Sequence, residues 1–431
     1  MNKHYFHYIL IRTATYPLKF FPFWLIHILG KFLGSLSFYF VRHFRKRTLS
    51  NIALAKDLKL SNKEIVKTAK KSFQNLCINL LEYPLFFYKK NFKKVIVCKN
   101  FEKAQKLYDN GSGIIFFCGH QSNWEVLFLD GTTKMKGIAI GKPIKNPYLY
   151  NWIISIREKF GGRIIPPRKA LKESLRSLRK GIFLGIVGDQ SMPDSNYSYP
   201  FLGRRAWTST APALLAYKTK SPIIVATTKR VLGGYEITYS EPIWPNFENP
   251  TIAEVPRLMN ESLKIFEQSV SKNPEEWMWQ HNRYKQQTPE NIFKEYRFDS
   301  ILIILPQEED KFLKYLKVLK ILKKIYFRDF IYIFSPKKYK ESCLIDCEEV
   351  FYYKDVSETL VKDYRFKLVF NFTNFSKIQK FYKKLSAFDV LSIDRINKLA
   401  SNKNIFEKDF SKKLLKLLCR EKAHESINAK E

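Results

Sequence analysis

The sequence predicts an α/β protein built on a mostly parallel sheet flanked by helices, with an N-terminal membrane-anchor helix and a second, smaller α/β unit after it. Three observations carry that prediction. Short apolar runs rich in Ile, Val and Phe alternate with helical patterns, the rhythm of strand–helix–strand units whose sheet is covered on both faces. An apolar stretch over 16–41 ends against a cluster of basic residues. The strand–helix rhythm then restarts near 288–296, and a chain of 431 residues is long for one domain. The expected division is an anchor over 1–47, a main domain over 48–296 and a smaller α/β domain over 297–431.

The stretch 16–41 reads YPLKFFPFWLIHILGKFLGSLSFYFV. It is long enough to cross a bilayer, yet Lys19, His27 and Lys31 interrupt it along one row of a helix. That pattern permits a tilted span with a polar seam or a helix lying among lipid headgroups. Arg42, Arg45, Lys46 and Arg47 follow at once and suit an anionic cytoplasmic surface. No small-residue cleavage site follows, so this is not a cleavable signal peptide. Residues 50–90 look helical, with Ser61 able to cap and Glu64 three residues on. Strands are expected at SGIIFFCG, KGIAIGK, GRIIPP, GIFLGIVGD and SPIIVATT, with YEITYS as an edge strand. Helical patterns such as RKALKESLRSLRKG and APALLAYKTK separate them, which places sites at the carboxyl ends of the strands. In the smaller unit SILIILP, DFIYIFSP, EEVFYYK, FKLVFNFT and FDVLSID read as five more strands, with no GxGxxG and no GxxxxGK[ST] to mark a nucleotide site.

The charge balance, 75 Lys+Arg against 40 Asp+Glu for a net +35, should draw polyanions to the chain. Nucleic acid, an anionic membrane and an acidic protein or phosphorylated substrate all fit that description. Phe-rich segments beside Lys and Arg suit either a membrane interface or base stacking. The N-terminal stretch decides for membrane lipids, and no nucleic acid is expected. Cys77, Cys98, Cys118, Cys343, Cys347 and Cys419 form no CxxC pair, and the four-residue spacing of Cys343 and Cys347 is a weak signal. Buried reduced thiols are the expectation, with no metal site.

FFCGHQSNWEVLFLDG, at 116–131, sets His120 five positions before Glu125. On one helix the two would lie about 140° apart and could not face each other. The spacing works only if His120 leaves the strand in a loop and the helix begins after it. Two readings follow. Ser122 and Glu125 spell S-x-x-E, so Glu125 can serve a capping box. Alternatively, His120 stands at the carboxyl edge of a parallel sheet, where a carboxylate fixes its tautomer for proton transfer. Cys118 is read as packing on the strand.

The motif H-x4-[DE] and the order of five blocks resemble the late acyltransferases of lipid A biosynthesis, the lauroyl and myristoyl transferase family. The blocks are GHQSNWE; KPIKNPYLYNWIISIREKFGG; GRIIPPRKALKESLRSLRKG; GDQSMPDSNYSYPFLGRRAWTSTAPALLAYKTKSPII; and PEEWMWQHNRYK, together covering about residues 10–290. Ser191 stands where relatives carry a second aspartate, and Gln121 where an aromatic is common. The resemblance implies a glycerolipid-acyltransferase-like fold at the cytoplasmic face of the inner membrane. It implies transfer of an acyl chain from acyl carrier protein to a hydroxyl of a Kdo-modified tetraacylated lipid A precursor, with no cofactor. His120 would be the general base and Glu125 would hold and charge-balance it. Asn123, Arg157, Arg168, Asp189, Gln190 and Arg204 would bind substrate, Asp189 by orienting an arginine or sugar hydroxyl, and Arg204 and Arg205 by facing headgroups. His281 is read as packing. A lysophospholipid or glycerophosphate acyltransferase, a nucleic-acid-binding protein and a non-catalytic membrane scaffold are the rivals. The resemblance does not reach 297–431, a Rossmann-like appendage that faintly resembles the amino-terminal half of heptosyltransferase-like glycosyltransferases.

Overall fold

The computed structural model describes residues 2–88, 95–288, 290–341 and 346–421, so Cys343 lies outside the described residues. In chain order the N-terminal elements are α1 (Lys3–Thr15), α2 (Phe23–Phe40), α3 (Arg42–Leu54), α4 (Asn62–Tyr88), β1 (Ile96–Lys99) and α5 (Glu102–Asp109). Then come β2 (Ile115–Cys118), α6 (Glu125–Lys134), β3 (Gly137–Ile140), α7 (Pro147–Arg157), β4 (Arg163–Ile165), α8 (Ala170–Leu178) and β5 (Phe183–Val187). These are followed by β6 (Ser198–Phe201), β7 (Arg204–Trp207), α9 (Ala211–Thr219), β8 (Ile223–Val231), β9 (Gly234–Tyr239) and α10 (Thr251–Lys272). The last set is β10 (Ser300–Ile304), α11 (Glu309–Ile325), β11 (Phe330–Pro336), β12 (Glu349–Tyr353), β13 (Leu368–Asn371), α12 (Lys377–Lys384), β14 (Asp389–Ser392), α13 (Ile393–Asn402) and α14 (Phe410–Leu418).

The first sheet runs β1-β9-β8-β2-β5-β3-β4. Its five strands β8, β2, β5, β3 and β4 are parallel, and β9 turns back antiparallel on β8. The sheet is therefore mixed, with the parallel core that the buried apolar runs predict. β9 is not an edge strand, because β1 pairs outside it; β1 alternates between half-buried and exposed residues, so no buried apolar run announces it. A separate hairpin, β6 with β7, was also illegible: its Leu202-Gly203 turn has both residues at positive φ, yet only Gly203 announces that in sequence.

The apolar N-terminal stretch is not one helix. Pro17 opens a short 3-10 turn over Tyr16–Phe20 and Pro22 precedes α2, so α2 has 18 residues. It runs antiparallel to α4: Phe23 meets Phe86, Gln74 donates to Ser35, and Phe38 meets Phe73. A Cβ at Gly34 would collide with the Gln74 backbone, and one at Gly30 with Ile78, so glycine lets the two backbones approach. Lys19, His27 and Lys31 form no seam. Lys19 sits over the Tyr16 ring at 3.6 Å, His27 is buried, and Lys31 is exposed. The exposed side of α2 carries Trp24, Ile28, Phe32, Leu36 and Phe40, one every fourth residue.

The chain forms two compact units. One comprises Met1–Val41, Lys67–Gln190 and Tyr197–His281; the other Arg42–Val66, Ser191–Asn196 and Asn282–Glu431. The second unit's sheet, β12-β11-β10-β13-β14, is parallel throughout, and all five expected strands are present. The second unit is discontinuous in sequence, and α3 belongs with it. Lys46 Nζ donates to the Ala387 carbonyl at 2.7 Å, and Ser50 Oγ to that of Arg365 at 2.6 Å. Asn51 Oδ1 accepts from Lys367 Nζ at 2.8 Å. That lysine is buried against Asp299 at 2.6 Å, with Asn282 as a further acceptor, so a buried charge is fully bound.

Candidate active site

Gly119 and His120 leave β2 at its carboxyl end, and Gly188 and Asp189 leave the neighbouring β5 at the same edge. The His120 backbone N–H donates to Asp189 Oδ2 at 2.8 Å, and the ring Nδ1 lies 2.8 Å from Oδ1. Trp277 Nε1–H donates to Oδ2 at 2.7 Å. A side chain at 119 would strike both Phe266 and the Asp189 carboxylate, so glycine there admits this approach. Burial pushes the Asp189 carboxyl up, but the imidazole, the Trp277 ring N–H and the His120 backbone pull it further down, below the usual carboxylate range. An acceptor at Nδ1 fixes the proton there and leaves the Nε2 lone pair outward. Gln190 Nε2 lies 3.5 Å from that Nε2, and the Trp124 and His281 rings stand at 4.6 and 4.8 Å from the imidazole.

The carboxylate on His120 is therefore Asp189, which orients the histidine rather than an arginine. Glu125, expected to hold the imidazole, is bound otherwise. Its Oε2 accepts from Arg157 Nε at 2.8 Å, while its Oε1 accepts from Arg157 Nη2 and from Tyr83 Oη, both at 2.5 Å. The capping box does not form either. Ser122 adopts φ +50°, α6 begins only at Glu125, and its first turn receives Asn123 Oδ1, which accepts the Glu125 N–H at 3.2 Å. Burial pushes the Tyr83 hydroxyl up, and the Glu125 charge pushes it further, so it stays protonated and donates.

Arg157 closes α7 and lies beside Gly141 at the carboxyl end of β3, so it joins the same edge of the sheet. Arg168 does not. It is exposed in the turn after β4, the edge strand, three strands and about 14 Å from β2. Arg204 is buried in β7 and does not face headgroups, whereas its neighbour Arg205 is exposed. Cys118 is buried on β2, and burial pushes its thiol far up, as a packing residue requires. Among the described residues no three His, Cys, Asp or Glu side chains converge as a metal site would require.

Sequence reading missed one whole face of this site. Ser72, Asn75, Asn79, Glu82 and Tyr83 line one side of α4 and meet the loops at 122–125 and 276–277. Ser72 Oγ donates to the Trp277 carbonyl at 2.8 Å, and Asn79 Nδ2 to that of Ser122 at 2.5 Å. The signal that could have found them is a helical row of small polar residues on a segment whose other side is apolar.

The sequence model of the bacterial lipid A biosynthesis acyltransferases matches residues 3–286. The chain belongs to that family. It is also similar to the lipid A biosynthesis lauroyltransferase of Escherichia coli (strain K12), 23% identical over 279 residues, which are 64% of this chain and 90% of the relative. The acyltransferase match ends at 286, so most of the second unit lies beyond it. The His120–Asp189 pair, Gln190, Glu125 and Arg157 all lie inside the acyltransferase match.

Proposed function

We propose that this acyltransferase moves a fatty acyl chain from an acyl carrier protein thioester to a hydroxyl of a Kdo-modified tetraacylated lipid A precursor, at the cytoplasmic face of the inner membrane. His120 Nε2 takes the proton of the acceptor hydroxyl. The hydroxyl oxygen attacks the thioester carbonyl, the tetrahedral oxyanion collapses with loss of the C–S bond, and the departing thiolate takes the proton back from the imidazolium. Asp189 keeps the proton on Nδ1 and balances the charge that His120 gains in transit. Gln190 lies where the acceptor would approach. Glu125 and Tyr83 hold the Arg157 guanidinium at the sheet edge, where a forked cation suits a phosphate or the oxyanion. The chemistry needs no cofactor, since the thioester is already activated.

The observation that carries this reading is the His120–Asp189 pair, 2.8 Å apart at the carboxyl edge of a parallel sheet in a lipid A acyltransferase. The exposed apolar row on α2, with Arg42 and Arg45 following, supports the membrane surface. The test is acyl transfer by detergent-purified protein, offered a panel of acyl–acyl carrier proteins and that precursor. His120→Ala should lower turnover at least about 10²-fold with folding retained. Undiminished transfer by the variant would sink the mechanism. Transfer only to a lysophospholipid would keep the mechanism and replace the acceptor.

A further inference from the structure

We propose that Glu82 is a positioning residue for His120, acting through Asn123 and the backbone of residues 122–125, and that His27 makes the seating of α2 part of the same device. The proposal rests on the reading of His120 as the base. Glu82 has no exposed surface, and its carboxylate joins three elements. Oε1 accepts from His27 Nε2 on α2 at 2.9 Å. Oε2 accepts from Asn123 Nδ2 at 2.7 Å and from the Tyr235 hydroxyl on β9. The Arg230 guanidinium lies 3.9 Å from Oε2 and donates onward to Asn79 at 2.5 Å. Asn79 in turn holds the Ser122 carbonyl.

A buried carboxylate costs several kcal/mol in lost hydration, which an apolar residue of similar size would avoid. What the charge supplies is a set of directed bonds at a backbone that needs them. Ser122 is held in the left-handed region, where a residue other than glycine is strained. Asn123, fixed from one side by Glu82, uses its other atom to take the Glu125 N–H and so sets where α6 begins. His120 sits two residues before Ser122, with its ring against Trp124. Loosening Asn123 therefore moves the loop that aims Nε2, while Asp189, held from β5 and by Trp277, stays in place.

Three variants of the full chain in detergent test this: Glu82→Gln, Asn123→Ala and their combination. Glu82→Gln should lower kcat about tenfold or more while KM for the acyl donor changes less than about twofold, since misplacing a reacting group costs rate before it costs binding. Because both residues act along one path, the double variant should be no worse than the poorer single. Tyr235→Phe, which keeps the volume and removes one bond to Glu82, should lose kcat about threefold if Glu82→Gln does not fold. His27→Gln should lose kcat in the same sense. The nitrogen NMR signals of the His120 ring provide a readout independent of substrate: their tautomer balance should shift in Glu82→Gln. A lower melting temperature with kcat and the His120 signals unchanged would overturn the proposal, as would losses that multiply in the double variant. If the wild type transfers no acyl group to any acceptor, the function proposed above fails, and the His120 signals still decide whether Glu82 governs the loop.

Discussion

Two carboxylates are candidates to hold His120, and bonding decides between them where spacing could not. Glu125 is closer in sequence, but its oxygens are taken by Arg157 and Tyr83. Asp189 is distant in sequence and reaches Nδ1 because β5 pairs directly with β2. An amide at 189 would present an NH2 group to Nδ1 or lose the backbone bond, so Asp189→Asn should lower kcat by about 10²–10⁴-fold. The same substitution should change acid stability. The folded Asp189 pKa is depressed, so its stabilisation is fully present above the unfolded carboxylate value near about pH 4 and is lost as pH falls from there towards the folded value. Chemical unfolding across that window should show Asp189→Asn falling less steeply with acid than the wild type. Parallel curves would mean that the imidazole pair contributes nothing to stability.

Elements were legible where apolar runs are long and illegible where a tertiary partner decides. All five strands of the second unit and the five parallel strands of the first followed from their Ile, Val and Phe runs. β1, with no buried residue, and the β6–β7 hairpin did not. The motif S-x-x-E occurs at both 61–64 and 122–125, and only the first becomes a capping box: Ser61 N–H donates to Glu64 at 2.8 Å, and Ser61 Oγ accepts the Glu64 N–H at 3.4 Å. At 122–125 the bonds from α4 and Asn123 override the local preference, as tertiary context overrides capping at a functional loop. The site itself was half legible. His120 and the sheet edge were readable from the strand ending, whereas the α4 face shows only once α4 meets the loop. The α2–α4 contact is equally specific. Gly34→Ala has no room against Gln74, so it should destabilise the protein by about 1–3 kcal/mol through forced separation of the helices. The same substitution at Gly233, which has open space but positive φ, separates crowding from backbone strain as the cause.

For the molecule as a whole, the proposed seating on an anionic bilayer rests on the excess of positive charge and the apolar row on α2. α2 has the length to cross a membrane, and its buried face is committed to α4. Peripheral seating predicts that Trp24, Ile28 and Phe32, changed together to Asp, release the folded protein from vesicles of anionic phospholipid. Binding that survives in the triple variant would place the contact elsewhere. Salt should weaken the wild-type interaction, since screening at about 0.15 M leaves only contacts within about 8 Å. The glycine notches add a consequence for how such a protein can be altered. An anchor that merely tethers is interchangeable, and any hydrophobic segment of the right length replaces it. Here α2 has its inner surface keyed by Gly30 and Gly34 and bonded through His27, so a transplanted segment would supply an apolar outer row while leaving a socket in the enzyme unfilled.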